Sequence, residues 1–371
     1  MQNRLLAVCT LPAWPVRDGY SLRVSHLLRG LAAGWSITLV APGAPPPGTV
    51  ARHVPVALEG RGLTYPWRFD PAPLRAAVDL AVDRARPDRA LVWPGAERAW
   101  CGRQGMPPAV MDMIDCNALE FARGTLYAAT LRGRLSQARE AAIAAFYGAR
   151  TLRTFSSTVC VGARDAAWLR ATGLGGNVEV VPNGVEIPRA PPPEAPCPTV
   201  SFTGALDFEP NVTAALWAAE AIWPLVRAAM PEARFVVAGR NPVPAIAALA
   251  ARPGIEVEAD VADMAAVLGR SWVSVAPMRS GAGIKNKVLE AWACARPVVM
   301  TPIAGNGLPL PADHRPLVQA SPAAQAAAVI TLLRNAASRR ALGGSAQAAV
   351  REHATWAAAA ARIDALLATA R

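Results

Sequence analysis

The chain has 371 residues, 53% of them hydrophobic and 18% charged. That is enough apolar material for a sizeable core and enough length for two ordinary domains, and it excludes a disordered chain. The formal net charge is +11 and is uneven, with 22 arginines against 14 acids in residues 1–190; such a bias suits phosphorylated substrates, an anionic membrane surface or nucleic acid, and equally the ordinary solvated surface of an Arg-rich composition.

The six cysteines are scattered without a CxxC pair and the four histidines are dispersed, which argues against a zinc site, a disulfide framework or another metal site and suits a reducing cytosol. No uncharged apolar run reaches the roughly 18 residues a bilayer crossing needs. The apolar run at residues 4–9 is short and leads into Pro12 and Pro15 with no small-residue cleavage site. It reads as a first buried strand rather than a secretory leader.

A proline-rich loop covers 10–18. Leu22, Leu27, Leu28 and Leu31 then give residues 19–33 helical spacing, and 36–40 reads as the next strand. This βαβ pattern implies a parallel sheet covered by helices. Further strands are expected at 90–93, 109–114 and 158–161, with a basic-faced helix over 132–147. The stretch 187–198 (IPRAPPPEAPCP) has the composition of a semi-rigid linker. Beyond it the alternation restarts: strands at 199–204, 234–238, 255–258, 272–276 and 297–301, helices at 213–230, 264–268 and 287–295, and an Ala-rich helical tail from 322. The expected organisation is one α/β domain over 1–190, a second over 191–353, and a helix over 354–371 packing back on the first.

Lys285 and Lys287 are the only lysines in a chain with 36 arginines. They lie in the segment 273–290 (VSVAPMRSGAGIKNKVLE), which reads strand, Gly-rich loop, helix. Gly281 and Gly283 permit close backbone approach, the following helix start favours an anion, and Arg279, Lys285 and Lys287 add cations. A compact ammonium suits a phosphate differently from a planar guanidinium. Glu290 is suited to accepting two hydrogen bonds from the vicinal hydroxyls of a ribose. Phosphate donors and a diol acceptor roughly 10 Å apart describe a nucleoside diphosphate; a loop needing glycine for its geometry, with two solvated lysines, is the plainer alternative. Asp112 and Asp115 end an expected strand (VMDMID). Asp115 could orient a hydroxyl or act as a base, or either could be a turn or cap carboxylate. Asn211 reads as a helix cap, Asn183–Gly184 as a turn, and His26 and His53 as structural or surface residues. Trp14, Trp67 and Trp93 read first as core, though Trp14 lies in the first loop and could line a site there.

Residues 281–299 (GAGIKNKVLEAWACARPVV) resemble the donor-site signature of family-4, or group 1, glycosyltransferases. Val181–Glu186 (VPNGVE), 201–211 (SFTGALDFEPN), 237–241 (VAGRN) and 260–263 (DVAD) are similar to that family's other landmarks in order, as are 112–115 and Trp356. The resemblance is nearest to bacterial sugar transferases encoded with exopolysaccharide assembly systems. It implies a GT-B fold, two Rossmann-like domains facing across a cleft, and transfer from a nucleoside-diphosphate sugar with retention, without a metal or other cofactor. Glu290 would then bind the ribose, and Gly281, Ala282, Gly283, Ile284, Lys285, Asn286 and Lys287 would line the diphosphate with help from Arg279. Gly19 would approach the phosphate or the acceptor. Lys287 and Asp115 would be the residues nearest the chemistry, the cations stabilising the departing diphosphate.

Two departures stand out. Ala282 occupies the place of a glutamate found in many relatives, and Asp207, Phe208 and Glu209 occupy places where many have Arg and Lys. An epimerase on the same fold, or a non-catalytic nucleotide-sugar-binding partner, are the alternatives. The first would need a second carboxylate near Glu290, and none is evident in sequence. The expected partners are a nucleotide-sugar donor, a glycan, lipid-linked or small-molecule acceptor, and an anionic membrane touched peripherally from the cytoplasmic side by the basic helix. Nucleic acid is not expected, because no aromatic-basic motif accompanies the charge.

Overall fold

The computed structural model describes residues 2–59, 62, 64, 65, 67–127, 130–190, 193–280 and 284–371. The chain divides into two compact units, Met1–Asn183 with Trp356–Arg371, and Gly184–Thr355.

The first unit runs β1 (Asn3–Val8), α1 (Gly19–Leu31), β2 (Trp35–Ala41), β3 (Arg52–Pro55), α2 (Ala72–Ala85), β4 (Arg89–Val92), β5 (Ala109–Ile114), α3 (Asn117–Tyr127), α4 (Leu131–Thr151), β6 (Ser157–Cys160), α5 (Ala163–Thr172) and β7 (Val178–Val180). Its seven strands are parallel in the order β3-β2-β1-β4-β5-β6-β7. Leu5, Leu6, Ala7 and Val8 of β1 are fully buried, as a central strand covered on both faces requires.

The second unit runs β8 (Thr199–Thr203), α6 (Glu209–Trp217), α7 (Trp223–Ala229), β9 (Arg234–Gly239), α8 (Pro244–Ala247), β10 (Ile255–Ala259), α9 (Met264–Arg270), β11 (Val273–Ala276), α10 (Asn286–Ala293), β12 (Val298–Met300), α11 (Pro302–Gly305), α12 (Pro322–Arg334) and α13 (Ala336–His353). Its parallel order, β10-β9-β8-β11-β12, repeats that of the first sheet. In both sheets the winding reverses beside the first strand, between β1 and β4 and between β8 and β11. The carboxyl ends of the strands at such a reversal leave a crevice, where ligands of open α/β sheets bind. The final helix, α14 (Trp356–Thr369), belongs to the first unit. There Trp356 stacks on His26 with ring centroids 4.6 Å apart, Trp35 Nε1 donates to Asp364 Oδ1 at 2.6 Å, and Arg89 Nε donates to the Leu367 carbonyl at 3.0 Å.

The units part at Asn183, ahead of the proline-rich stretch. The second half of that stretch is fixed to the second unit. The Ala195 amide donates to the Arg270 carbonyl, Trp272 Nε1 to the Ala195 carbonyl, and Arg339, lying on the Trp272 ring, pairs with Glu194 at 3.0 Å. At the other crossing the Val185 amide donates to the Ala354 carbonyl and Val185 bridges Thr355, so the second unit runs on to 355. The helix expected over 213–230 is interrupted by a π-turn, Ala218–Ile222, just ahead of Pro224. A proline has no N–H for the regular ladder and its ring crowds the carbonyl four residues back, and the wider turn relieves both.

Candidate nucleotide-diphosphate site

In the second unit β11 leads into the Gly-rich loop and α10 leaves it. Gly281, Ala282 and Gly283 lie outside the described residues. Ile284 packs on the core, where a Cβ at Gly307 would stand 3.4 Å from its Cγ1. Lys285, buried, is the N-cap residue of α10, and Asn286 is its first helical residue. Val288, Leu289, Ala291 and Trp292 form the buried face of this helix. Lys287 and Glu290, three residues apart, therefore share the opposite face.

The Lys287 ammonium turns to the end of β8, across the reversal of the sheet. Its Nζ donates to Asn211 Oδ1 at 2.8 Å and stands 4.1 Å from the centre of the Phe202 ring. Gly204, at φ +151°, completes the contact, since a Cβ there would meet Lys287 Nζ and Asn211 Nδ2 at 2.8 Å each. Burial pulls the Lys287 ammonium down to about 7; Lys285 lowers it further and Glu290 acts against both. Burial pushes the Glu290 carboxyl up, opposed by Lys287. The result is a cation and a carboxylate on one helical turn, beside the positive end of a helix dipole. Such a set can receive a diphosphate and a ribose diol.

Asn211 is a correction to the sequence reading. α6 begins at Glu209 with Phe208 as N-cap residue, so Asn211 lies inside the first turn. Its Nδ2 donates to the Ala205 carbonyl at 2.9 Å while its oxygen receives Lys287. Phe202 and Gly204 were not singled out in sequence; a strand phenylalanine and the glycine after it carry no signal for a lysine that lies 83 positions further on.

Arg279 is exposed and lies over the Trp217 ring at 5.6 Å. The acids just after β8 are engaged locally. Asp207 accepts from Asn241 Nδ2 at 3.0 Å, and Glu209 accepts from Thr213 at 2.9 Å.

In the first unit Gly19 opens α1 behind the Asp18 N-cap, which forms a capping box with Ser21, and a Cβ on Gly19 would meet open space. Asp115 follows β5 directly, after Ile114 at φ +63°, and is half-buried. Asp112 is neither cap nor turn. It is fully buried in an ion pair with Arg23 of α1 at 2.7 Å, and Arg23 also donates to Asn183 Oδ1 at 2.9 Å. Trp14 is buried in the core formed with α1 and α14, so it does not line an open surface.

Comparison with known proteins adds to this geometry. Residues 197–335 match the family described as glycosyl transferases group 1. No curated protein matches the chain. Among solved structures, Anabaena Alr3699/HepE in complex with UDP-glucose is similar at TM-score 0.69 and 12% identity, with 99% of each chain covered. WaaG, a glycosyltransferase involved in lipopolysaccharide biosynthesis, is similar at TM-score 0.66 and 13% identity, covering 98% of this chain and 99% of that one. A glycosyltransferase from Rickettsia africae ESF-5 gives TM-score 0.66 and 10% identity over 98% of both chains. At these identities the likeness establishes the fold: the chain has the GT-B architecture of two Rossmann-like domains.

Proposed function

We propose that this protein is a glycosyltransferase that moves a sugar from a nucleoside-diphosphate sugar to an acceptor hydroxyl with retention, in the synthesis of exopolysaccharide or another bacterial cell-surface glycan. The observation that carries the reading is the Lys287–Glu290 face of α10, set at the sheet reversal inside the segment that matches group 1 glycosyl transferases. In this reading the diphosphate lies against the first turn of α10 with Lys285, Lys287 and Arg279, residues 281–283 are assigned to the same role, and Glu290 accepts the ribose hydroxyls. As the glycosidic bond to the donor breaks, negative charge grows on the departing diphosphate, and the preorganised cations stabilise it there. Asp115 is assigned to the acceptor side, and Gly19 to the donor phosphate or the acceptor.

The test is a thermal-shift panel of UDP-, GDP- and ADP-sugars, opening with UDP-glucose, the ligand of the Anabaena protein. At least one nucleotide sugar should raise the melting temperature, and the same one should be consumed when acceptor is supplied. Binding without turnover or hydrolysis on any acceptor would favour the non-catalytic reading. Because cations take the leaving-group role here, turnover should survive EDTA; activity lost to EDTA and restored by Mg²⁺ or Mn²⁺ would overturn that part.

A second reading concerns location. Among the described residues no helix is long and apolar enough to cross a membrane. The outward side of α4, however, carries Leu131, Leu135 and Phe146 at 73%, 63% and 57% exposure. At helical spacing these three share one stripe, flanked by Arg132, Arg139 and Arg150. We assign this stripe to peripheral contact with anionic lipid at the cytoplasmic face, where a lipid-linked acceptor would be presented.

A further inference from the structure

A buried ammonium needs acceptors and excluded bulk around it, and the end of β8 supplies both. The Asn211 amide cannot rotate freely, because its Nδ2 is committed to the Ala205 carbonyl at 2.9 Å, which leaves Oδ1 aimed at Lys287 Nζ. The Phe202 ring faces the ammonium at 4.1 Å, within cation–π range. Gly204 sits where any side chain would collide with both the ammonium and the amide. The approach of Gly204 is itself enforced from behind. A Cβ at Gly239, on the next strand, would stand 1.7 Å from the Gly204 carbonyl oxygen, so glycine is required there too. Four positions distant in sequence from Lys287 thus agree on one place for one charge.

We propose that Asn211, with Phe202 and Gly204, forms a seat for the Lys287 ammonium, and that Asn211 is a positioning residue that fixes where this cation stands and how strongly its charge is held. Phe202 and Asn211, which face Lys287 from β8 and α6, are uncharged, and among the described residues the charges acting on it are Glu290 and Lys285, from its own helix and its start. What the ammonium does for a donor rests on the function proposed above; the seat does not.

The experiment uses the full chain. In Lys285→Arg, Lys287 is the only lysine left, so trace labelling with acetic anhydride over a pH series, read by mass spectrometry of its peptide, titrates that one amine. Asn211→Asp keeps the size and adds a carboxylate, and should move the labelling midpoint up by about one pH unit or more. Asn211→Leu and Phe202→Leu each remove an interaction with the charged form and should move it down. Midpoints unchanged from the parent in all three folded variants would overturn the seat. In parallel, UDP-glucose affinity should weaken as pH rises through the parent's midpoint, and in Asn211→Asp the weakening should shift to higher pH by the same amount. Labelling midpoints that move while UDP-glucose affinity stays flat with pH would keep the seat and remove Lys287 from the donor site.

Discussion

At Lys287 and Glu290 burial drives the two groups toward each other on the pH scale, the ammonium down to about 7 and the carboxyl upward. Charge-assisted contacts to a donor would therefore weaken on the acid side as Glu290 takes a proton and on the alkaline side as Lys287 loses one, giving a bell-shaped profile. Glu290→Ala and Lys287→Ala should each cost about 2–4 kcal/mol in donor binding or turnover, the usual range for deleting one partner of a desolvated charged contact. Lys287→Arg should also lose activity, because a planar guanidinium cannot reproduce the compact point charge that Lys287 places 4.1 Å from the Phe202 ring centre. Wild-type donor affinity in a folded variant, measured by calorimetry, would withdraw the residue from the site.

A second carboxyl gives a test of stability alone. Glu97, in a 3-10 turn after β4, is buried, and burial pushes its carboxyl up to about 7 against the pull of the Glu97 and Gly95 amides and Arg98. Its folded pKa lies above its unfolded one, so the native state is favoured while the group is protonated. That stability is full below the ordinary carboxyl value of 4.5 and is lost as pH rises through about 7. The loss is on the order of 3 kcal/mol. Glu97→Gln carries no charge at any pH, so its thermal stability should match the wild type in mild acid and exceed it in mild alkali. A gap that does not widen with pH would contradict the assignment.

Among helices and strands, α4 has the consequence most easily measured. Leu131, Leu135 and Phe146 are largely exposed, and among the ring contacts of the described residues Phe146 meets only the edge of Tyr147 and the Arg150 guanidinium, 5.1 Å over its ring. We expect sedimentation with anionic vesicles at low salt and release at high salt, where screening shortens the reach of the arginines to about 3 Å at 1 M. Neutral vesicles should bring down little. Leu135→Glu with Phe146→Glu should abolish binding and leave the melting temperature nearly unchanged. Equal sedimentation with neutral and anionic vesicles would end the membrane reading.

Elements were legible in sequence where the pattern was strong. The buried parallel strands β1 and β9 hold continuous apolar runs, β5 does so apart from Asp112, and the amphipathic α1 shows its leucine spacing. β3, with four residues of which only Val54 is buried, and β7, with three residues, fell below that threshold. Both are the outermost strands of their sheet, where half the packing that imposes a pattern is missing. The proposed donor loop stood out because its glycines and lysines fall within seven residues of one another. The Arg23–Asp112–Asn183 cluster and the Lys287 seat were not, because their members lie far apart in the chain and meet only through the sheet order.

Taken whole, the chain is arranged so that its second unit begins and ends at the same spot. Val185 and Thr355 are bridged as parallel neighbours, which places the entering and leaving backbones roughly 5 Å apart. The second unit is therefore a guest inserted into a host that is completed only by α14, and each should tolerate separation from the other. Residues 184–355 expressed alone should give one cooperative thermal transition, and residue 183 joined to 356 by a short glycine-serine link should keep the Trp356–His26 stack. A guest that stays unfolded by circular dichroism would contradict this. If it folds, the unit carrying the proposed donor chemistry is a detachable cassette, exchangeable with another of its kind through two cuts that leave both cores untouched.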